Sequence, residues 1–206
     1  MPVKYTAAEI GSKYDAVAPW YDRAEVIAEK LIFRRMRRSW FQKAHGDVLE
    51  VAVGTGQNLL YYPRECRITA VDVSDGMLRI ARQRAKDAHL DVQFHRMDAE
   101  HLIFPDDSFD TVTSSLSTCT FPDPIAALQE MQRVCRPDGR ILLFEHGRSS
   151  FAPAGWVQDR MAEGHARRIG CHWNREPLEF VRAAGLTIVQ SRRSILGVLH
   201  LIEATP

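Results

Sequence analysis

At 206 residues and 45% hydrophobic content, the chain has room for one α/β domain with a sizeable core, and two full domains would be cramped. Lysine and arginine number 27 against 26 aspartates and glutamates, and a net charge of +1 excludes the basic excess of a general nucleic-acid binder. No apolar run approaches the roughly 20 residues of a membrane span, and the opening MPVKYTAAEI carries no apolar leader core, so a cytoplasmic location is expected.

Taken in order, residues 1–23 hold two Tyr-Asp pairs, Tyr14-Asp15 and Tyr21-Asp22, around Pro19-Trp20. Pro19 biases Ala18 away from helix, so a break is expected there. Stiff, amphipathic aromatics suit either an arm packed on the core or a lid over a ligand. Residues 24–43 read as a helix in which Ile32, Met36 and Trp40 recur every four positions. Lys30, Arg34 and Arg38 form a second row, thickened by Arg35, Arg37 and Lys43. That basic face is either solvated or rests peripherally on anionic lipid headgroups.

The stretch Asp47-Val-Leu-Glu50-Val-Ala-Val-Gly54-Thr55-Gly56-Gln-Asn58 is an apolar run that stops at two glycines. It reads as a buried parallel strand entering a tight turn, followed by a helix whose free N–H groups face a ligand. Leu59 stands where a dinucleotide fingerprint needs its third glycine, and Glu50 lies four positions before the first. Both features point away from a pyrophosphate and toward a ligand with a positive or zwitterionic group.

From there strands are expected at 47–53, 67–72, 91–95, 109–114, 140–145, 186–192 and 195–203. Helices are expected at 57–63, 75–88, 123–135 and 174–184. The alternation implies right-handed crossovers and a parallel sheet covered on both faces. The last two strands, broken only near Ser194, read as a hairpin with one antiparallel strand. Four cysteines at 66, 119, 135 and 171 lack C-x-x-C spacing, which argues against a zinc site or a disulfide framework. His165 and His172 likewise show no metal-ligand spacing, so no metal is expected.

The E-x-x-x-G-x-G of residues 50–56 resembles the class I S-adenosylmethionine (SAM) methyltransferases. So, in order, do Asp72 after the second strand, Asp98-Ala99-Glu100 after the third, Phe104-Pro-Asp-Asp-Ser-Phe109-Asp110, and Arg136-Pro-Asp-Gly139. The resemblance implies a single Rossmann-like domain over 1–206, with a seven-stranded, mostly parallel sheet ordered 3-2-1-4-5-7-6. It divides the chain into a lid and basic helix (1–43), a SAM-binding core (47–146) and an acceptor-side insertion (147–173). It also implies cofactor roles for Glu50, Gly54, Thr55, Gly56 and Asn58 at the methionine end. Asp72 would meet the ribose, and Met77, Asp98, Ala99 and Glu100 the adenine, with Val73 also in the cofactor site. Ser115 opens the segment Ser115–Thr120 that would face the methyl group.

Glu145-His146 ends the fifth strand, where His146 is either a base near neutral pH or bonded within its own loop. Tyr14, Tyr21 and His146 are the residues expected to position an acceptor. The Glu-His pair and the downstream G-C-x-W-x-R resemble short bacterial phosphatidylethanolamine N-methyltransferases and membrane-associated animal thiol methyltransferases. More distantly the chain is similar to ubiquinone and menaquinone C-methyltransferases. The implied acceptor is a small apolar molecule or lipid, first a phospholipid amine, then a thiol or quinone, with S-adenosylhomocysteine as the second product. A non-catalytic SAM-binding protein and a nucleotide-linked oxidoreductase are the alternatives from other classes.

Overall fold

The structure is a computed structural model describing residues 5–206, so the first four positions of the expected 1–43 lid lie outside the described residues. Seven strands form one sheet: β1 (Asp47–Val51), β2 (Arg67–Asp72), β3 (Val92–Arg96), β4 (Phe109–Ser115), β5 (Cys135–His146), β6 (Thr187–Ser194) and β7 (Leu199–Thr205). Their order is β3-β2-β1-β4-β5-β7-β6, as the resemblance implies. Every pairing is parallel except β5 with β7 and β6 with β7, so β7 alone runs against its neighbours.

Alternating side chains of each strand feed two cores, as a period of two requires. Leu49, Val51, Val112, Ile141 and Leu143 face α4 (Pro124–Val134) and α6 (Pro177–Ala183). Val48, Ile68, Ala70, Leu142 and Phe144 face α2 (Arg34–Phe41) and α3 (Asp75–Asp87). The sheet is therefore covered on both sides, and its loops at the carboxyl ends of β1, β2, β3 and β4 open into one cleft.

Three expectations are corrected. The chain does not break at Pro19, because α1 (Ala7–Ala28) runs through it from a Thr6–Glu9 capping box. An interior proline costs about 3 kcal/mol, and tertiary bonds on either side of it offset that cost. Asp15 accepts from Ser74 Oγ (2.6 Å) and from the Gly76 N–H (2.7 Å). Asp22 accepts from Thr55 Oγ1 (2.7 Å), Gln57 Nε2 (3.0 Å) and Arg84 Nη2 (2.5 Å). A π-helical turn at Glu29–Phe33 then joins α1 to α2, so the lid and the basic helix form one continuous helical run.

Second, the helix expected at 57–63 is a short 3-10 helix at Gln57–Tyr61 rather than an α-helix. Third, the strand expected at 140–145 starts earlier, so that Arg136–Gly139 is part of β5, where the register against β4 shifts. The expected insertion also contains a helix that its mixed composition did not signal, α5 (Ala152–Ile169). It ends at Gly170 in the left-handed region, a C-terminal stop that suits glycine.

Asp15→Ala with Asp22→Ala should release α1 while leaving the sheet folded. Losing acceptors shared by several donors costs about 1–3 kcal/mol at each site. Limited proteolysis should then cut within residues 7–28 earlier than in the wild type, while the sheet still unfolds in one cooperative thermal transition. An unchanged cleavage rate would contradict the latch.

Candidate functional site

The cleft has an empty volume of about 880 Å³ counted to its open mouth. β1 is followed by Ala52, whose φ of 56° is costly for a residue with a Cβ, and the chain passes to Gly54 at the same φ. A Cβ built on Gly54 would meet nothing within 4 Å, so this glycine faces open cleft. Gly56 serves packing instead: its φ is +78°, and a Cβ there would stand 2.9 Å from Leu59 and 3.2 Å from Ala81. That contact lets the turn settle on α3.

Asp72, at the end of β2, accepts from the Gly54 N–H (2.8 Å) and the Ser74 N–H (2.9 Å), so it ties two cleft loops together. Burial pushes its carboxyl up to about 6, although the Ser74, Gly54 and Val73 N–H groups pull the other way. Glu50 is more extreme. Its Oε1 accepts from Asn58 Nδ2 (2.7 Å), while its buried Oε2 has no partner. Burial raises it to about 7 against the opposing pull of the Asn58 and Tyr62 hydrogen bonds and the Arg37 charge.

Arg37 was expected on the basic helix face, yet it is only 3% exposed and lines the cleft. Its guanidinium donates to Glu29 Oε2 (3.1 Å), Asn58 Oδ1 (2.5 Å) and Ser115 Oγ (2.6 Å). Sequence reasoning missed it because five neighbouring cations repeat the same pattern. The phase that buries Trp40, three residues on, was the available signal.

At the adenine end implied by the resemblance, Asp98, Ala99, Met77 and Val73 line the cleft. Asp98 Oδ1 accepts from the Glu100 N–H (3.0 Å). Glu100 points elsewhere, its Oε1 accepting from the Asp123 N–H (2.7 Å) at the start of α4. Across the cleft stand Tyr14 and Tyr21, their rings 6.2 Å apart. Burial holds both phenols well above their ordinary range, aided at Tyr21 by a hydrogen-bonded Glu25. Glu25 is itself raised by burial, against the pull of Tyr21 and Arg37.

The structure thus gathers Tyr14, Tyr21, Gly54, Thr55, Asn58, Asp72, Val73, Met77, Asp98, Ala99 and Ser115 around one cleft. Glu50 stands behind Asn58, while Gly56, Glu100 and His146 are outside the lining. His146 instead presents Nε2 to Cys171 Sγ at 3.5 Å. Burial lowers its basicity, but the Cys171 hydrogen bond and charge, with Glu145, outweigh that and raise it. Cys171 is held low in turn by hydrogen bonds from Cys119 and His146, and Cys119 is held high.

The family described as "Methyltransferase domain" matches residues 49–143. A mitochondrial methyltransferase of Saccharomyces cerevisiae is 32% identical over 93% of this chain and 45% of its own. A phosphatidylethanolamine N-methyltransferase of Cereibacter sphaeroides is 34% identical over 63% of this chain and 64% of its own. A ubiquinone/menaquinone biosynthesis C-methyltransferase of Azotobacter vinelandii is 30% identical over 77% of this chain and 67% of its own. The chain thus spans about half the length of the first relative and about two thirds of the others. The fold matches a SAM-dependent methyltransferase of Thermotoga maritima with a TM-score of 0.72, at 21% identity, over 95% of this chain and 99% of that one.

The buried Glu50 sets a pH dependence. In the unfolded chain it ionises near 4.5, in the fold near 7, so the fold keeps a proton that the unfolded chain has lost. Its stabilising contribution is complete below about 4.5 and is lost as pH rises through about 7. Without ligand, Glu50→Gln should match the wild-type Tm at pH 5 and exceed it at pH 8. An equal Tm difference at both pH values would contradict the assignment.

Proposed function

The chain belongs to the methyltransferase-domain family, and from that premise we propose that it transfers a methyl group from SAM to a small apolar or lipid acceptor, first the amine of phosphatidylethanolamine. The residues present fit that cofactor. Glu50 Oε2 is a buried acceptor lacking a donor, and Gly54 leaves open the space a side chain would fill. Asp72 spends one lone pair of each oxygen on the backbone and keeps others for ribose hydroxyls. Asp98 and the Ala99 backbone would meet the adenine, and Met77 and Val73 its faces.

Arg37 gives the methionine carboxylate a charged partner held in place by Asn58 and Ser115. Glu50, brought to the ionised state by the ligand's positive charge, balances it from behind Asn58. Thr55, pinned by Asp22, keeps the turn closed. SAM supplies an electrophilic methyl group on a sulfonium and leaves as S-adenosylhomocysteine. The protein's own contribution is alignment and exclusion of water. Tyr14 and Tyr21 form the wall that orients the acceptor.

An ammonium must lose a proton before it can act as a nucleophile. Glu25, hydrogen-bonded to Tyr21 and with its carboxyl raised by burial, is the group suited to take it. The lipid reading also draws on the outer face of the helical run. Trp20, Ile27 and Leu31 are 62%, 70% and 78% exposed, followed by exposed Lys30, Arg34, Arg35 and Arg38. Apolar side chains ahead of cations suit a headgroup surface, at about 1 kcal/mol per cation. No helix among the described residues is long and apolar enough to cross a membrane.

The observation that carries the proposal is the conjunction in one cleft of acidic strand ends, an exposed glycine turn, a buried arginine and two half-buried tyrosines. The test is S-adenosylhomocysteine release with vesicles containing phosphatidylethanolamine, vesicles lacking it, a soluble thiol, and a quinol. Turnover with the amine lipid alone is expected. Turnover with only the thiol or quinol would retain methyl transfer and reject the lipid. SAM binding without product from any acceptor would reject catalysis.

A further inference from the structure

Behind the tyrosine wall lies a cluster that the linear spacing of the cysteines and histidines does not reveal. Cys119 sits in the turn after β4, His146 at the end of β5, and Cys171 just past Gly170. Their ligand atoms all lie within 4.8 Å of one another. Both thiols are free and buried, at 1% and 6% exposure. We propose that Cys119, His146 and Cys171 form a site for a thiophilic divalent cation of the zinc type.

Distance supports this first. Bonds of about 2.3 Å to sulfur and about 2.0 Å to nitrogen, at tetrahedral angles, set ligand atoms roughly 3.5–3.8 Å apart. The 3.5 Å between Cys171 Sγ and His146 Nε2 is in that range. The donor set supports it as well, since two thiolates and one imidazole select soft or borderline ions over magnesium or calcium.

The surrounding bonds hold this geometry without an ion. The His172 N–H donates to the Cys119 carbonyl at 2.9 Å, which docks the segment carrying Cys171 onto the turn carrying Cys119. Arg175 Nη1 donates to the carbonyls of Thr118 and Phe121, both at 2.8 Å, and braces that turn from the other side. The buried Glu145 carboxylate accepts from the N–H and hydroxyl groups of Ser117 and Thr118, fixing the turn to the strand that ends in His146. His165 is not part of the set, because its ring stacks on Trp173 with centroids 4.4 Å apart. Three protein ligands leave a fourth position, as in zinc sites that bind an exogenous ligand.

The site does not rest on the methyl-transfer reading, so its test needs no turnover. The full chain, reduced and stripped with a chelator, is titrated with Co²⁺. One equivalent should bind with a thiolate-to-cobalt charge-transfer band and the intense visible bands of a tetrahedral ion, and Zn²⁺ should displace it. Cys119→Ser and Cys171→Ser should each cut the charge-transfer band to half or less, while Cys66→Ser keeps it. X-ray absorption of the wild-type zinc form, which depends on no variant folding, should show two sulfurs and an imidazole nitrogen around the metal. A shell of only oxygen and nitrogen, an octahedral cobalt spectrum, or no retained metal would overturn the proposal. So would a charge-transfer band of undiminished intensity in a folded Cys171→Ser variant.

Discussion

Two carboxylates on one face of α1 decide whether this molecule has a closed site. Asp15 and Asp22 are seven residues apart, two helical turns, so both point the same way. Asp15 holds the β2–α3 loop through Ser74 and Gly76, and Asp22 holds the glycine turn through Thr55, Gln57 and Arg84. The residue before each is a tyrosine, and both tyrosines line the cleft. One pair of hydrogen-bonding residues therefore sets the position of the wall and of the two loops the ligand would touch. Ordering the helix and ordering the loops become a single event.

Buried charge follows from that closure. Arg37 reaches the cleft only because the π-helical turn and α2 continue the latched helix over the carboxyl end of β1. It lies among Glu29, Asn58 and Ser115, with Glu50 behind Asn58. An unliganded Glu50 holds its proton to a higher pH than a free carboxyl, because burial penalises the charged form more than Asn58, Tyr62 and Arg37 favour it. A cationic ligand beside it would lower that pKa and favour the carboxylate.

The sheet was readable from the sequence because its signals are local. An apolar run ending in glycine, acidic residues at strand ends and strand–helix alternation all lie within short windows, and they gave the strand order through a family resemblance. The features that were misread depend on distant contacts. Pro19 marks a break by its own chemistry, but Asp15 and Asp22 hold the helix through it. Arg37 is indistinguishable by type from Arg34 or Arg38, and only the helix phase relative to the sheet buries it. Cys119, His146 and Cys171 are separated by 27 and 25 residues and meet only because a backbone hydrogen bond docks the post-α5 segment on the β4 turn. Spacing rules tuned to contiguous metal motifs are blind to such a set.

The central claim is that the cleft under α1 binds SAM and that the latched helix closes over it. Hydrogen exchange of the full chain with and without S-adenosylhomocysteine tests this most directly. The account predicts slowed exchange together in residues 7–28, in the turn 53–58, and in the segments 72–77 and 97–100. Protection confined to other regions, or none at saturating ligand, would contradict it.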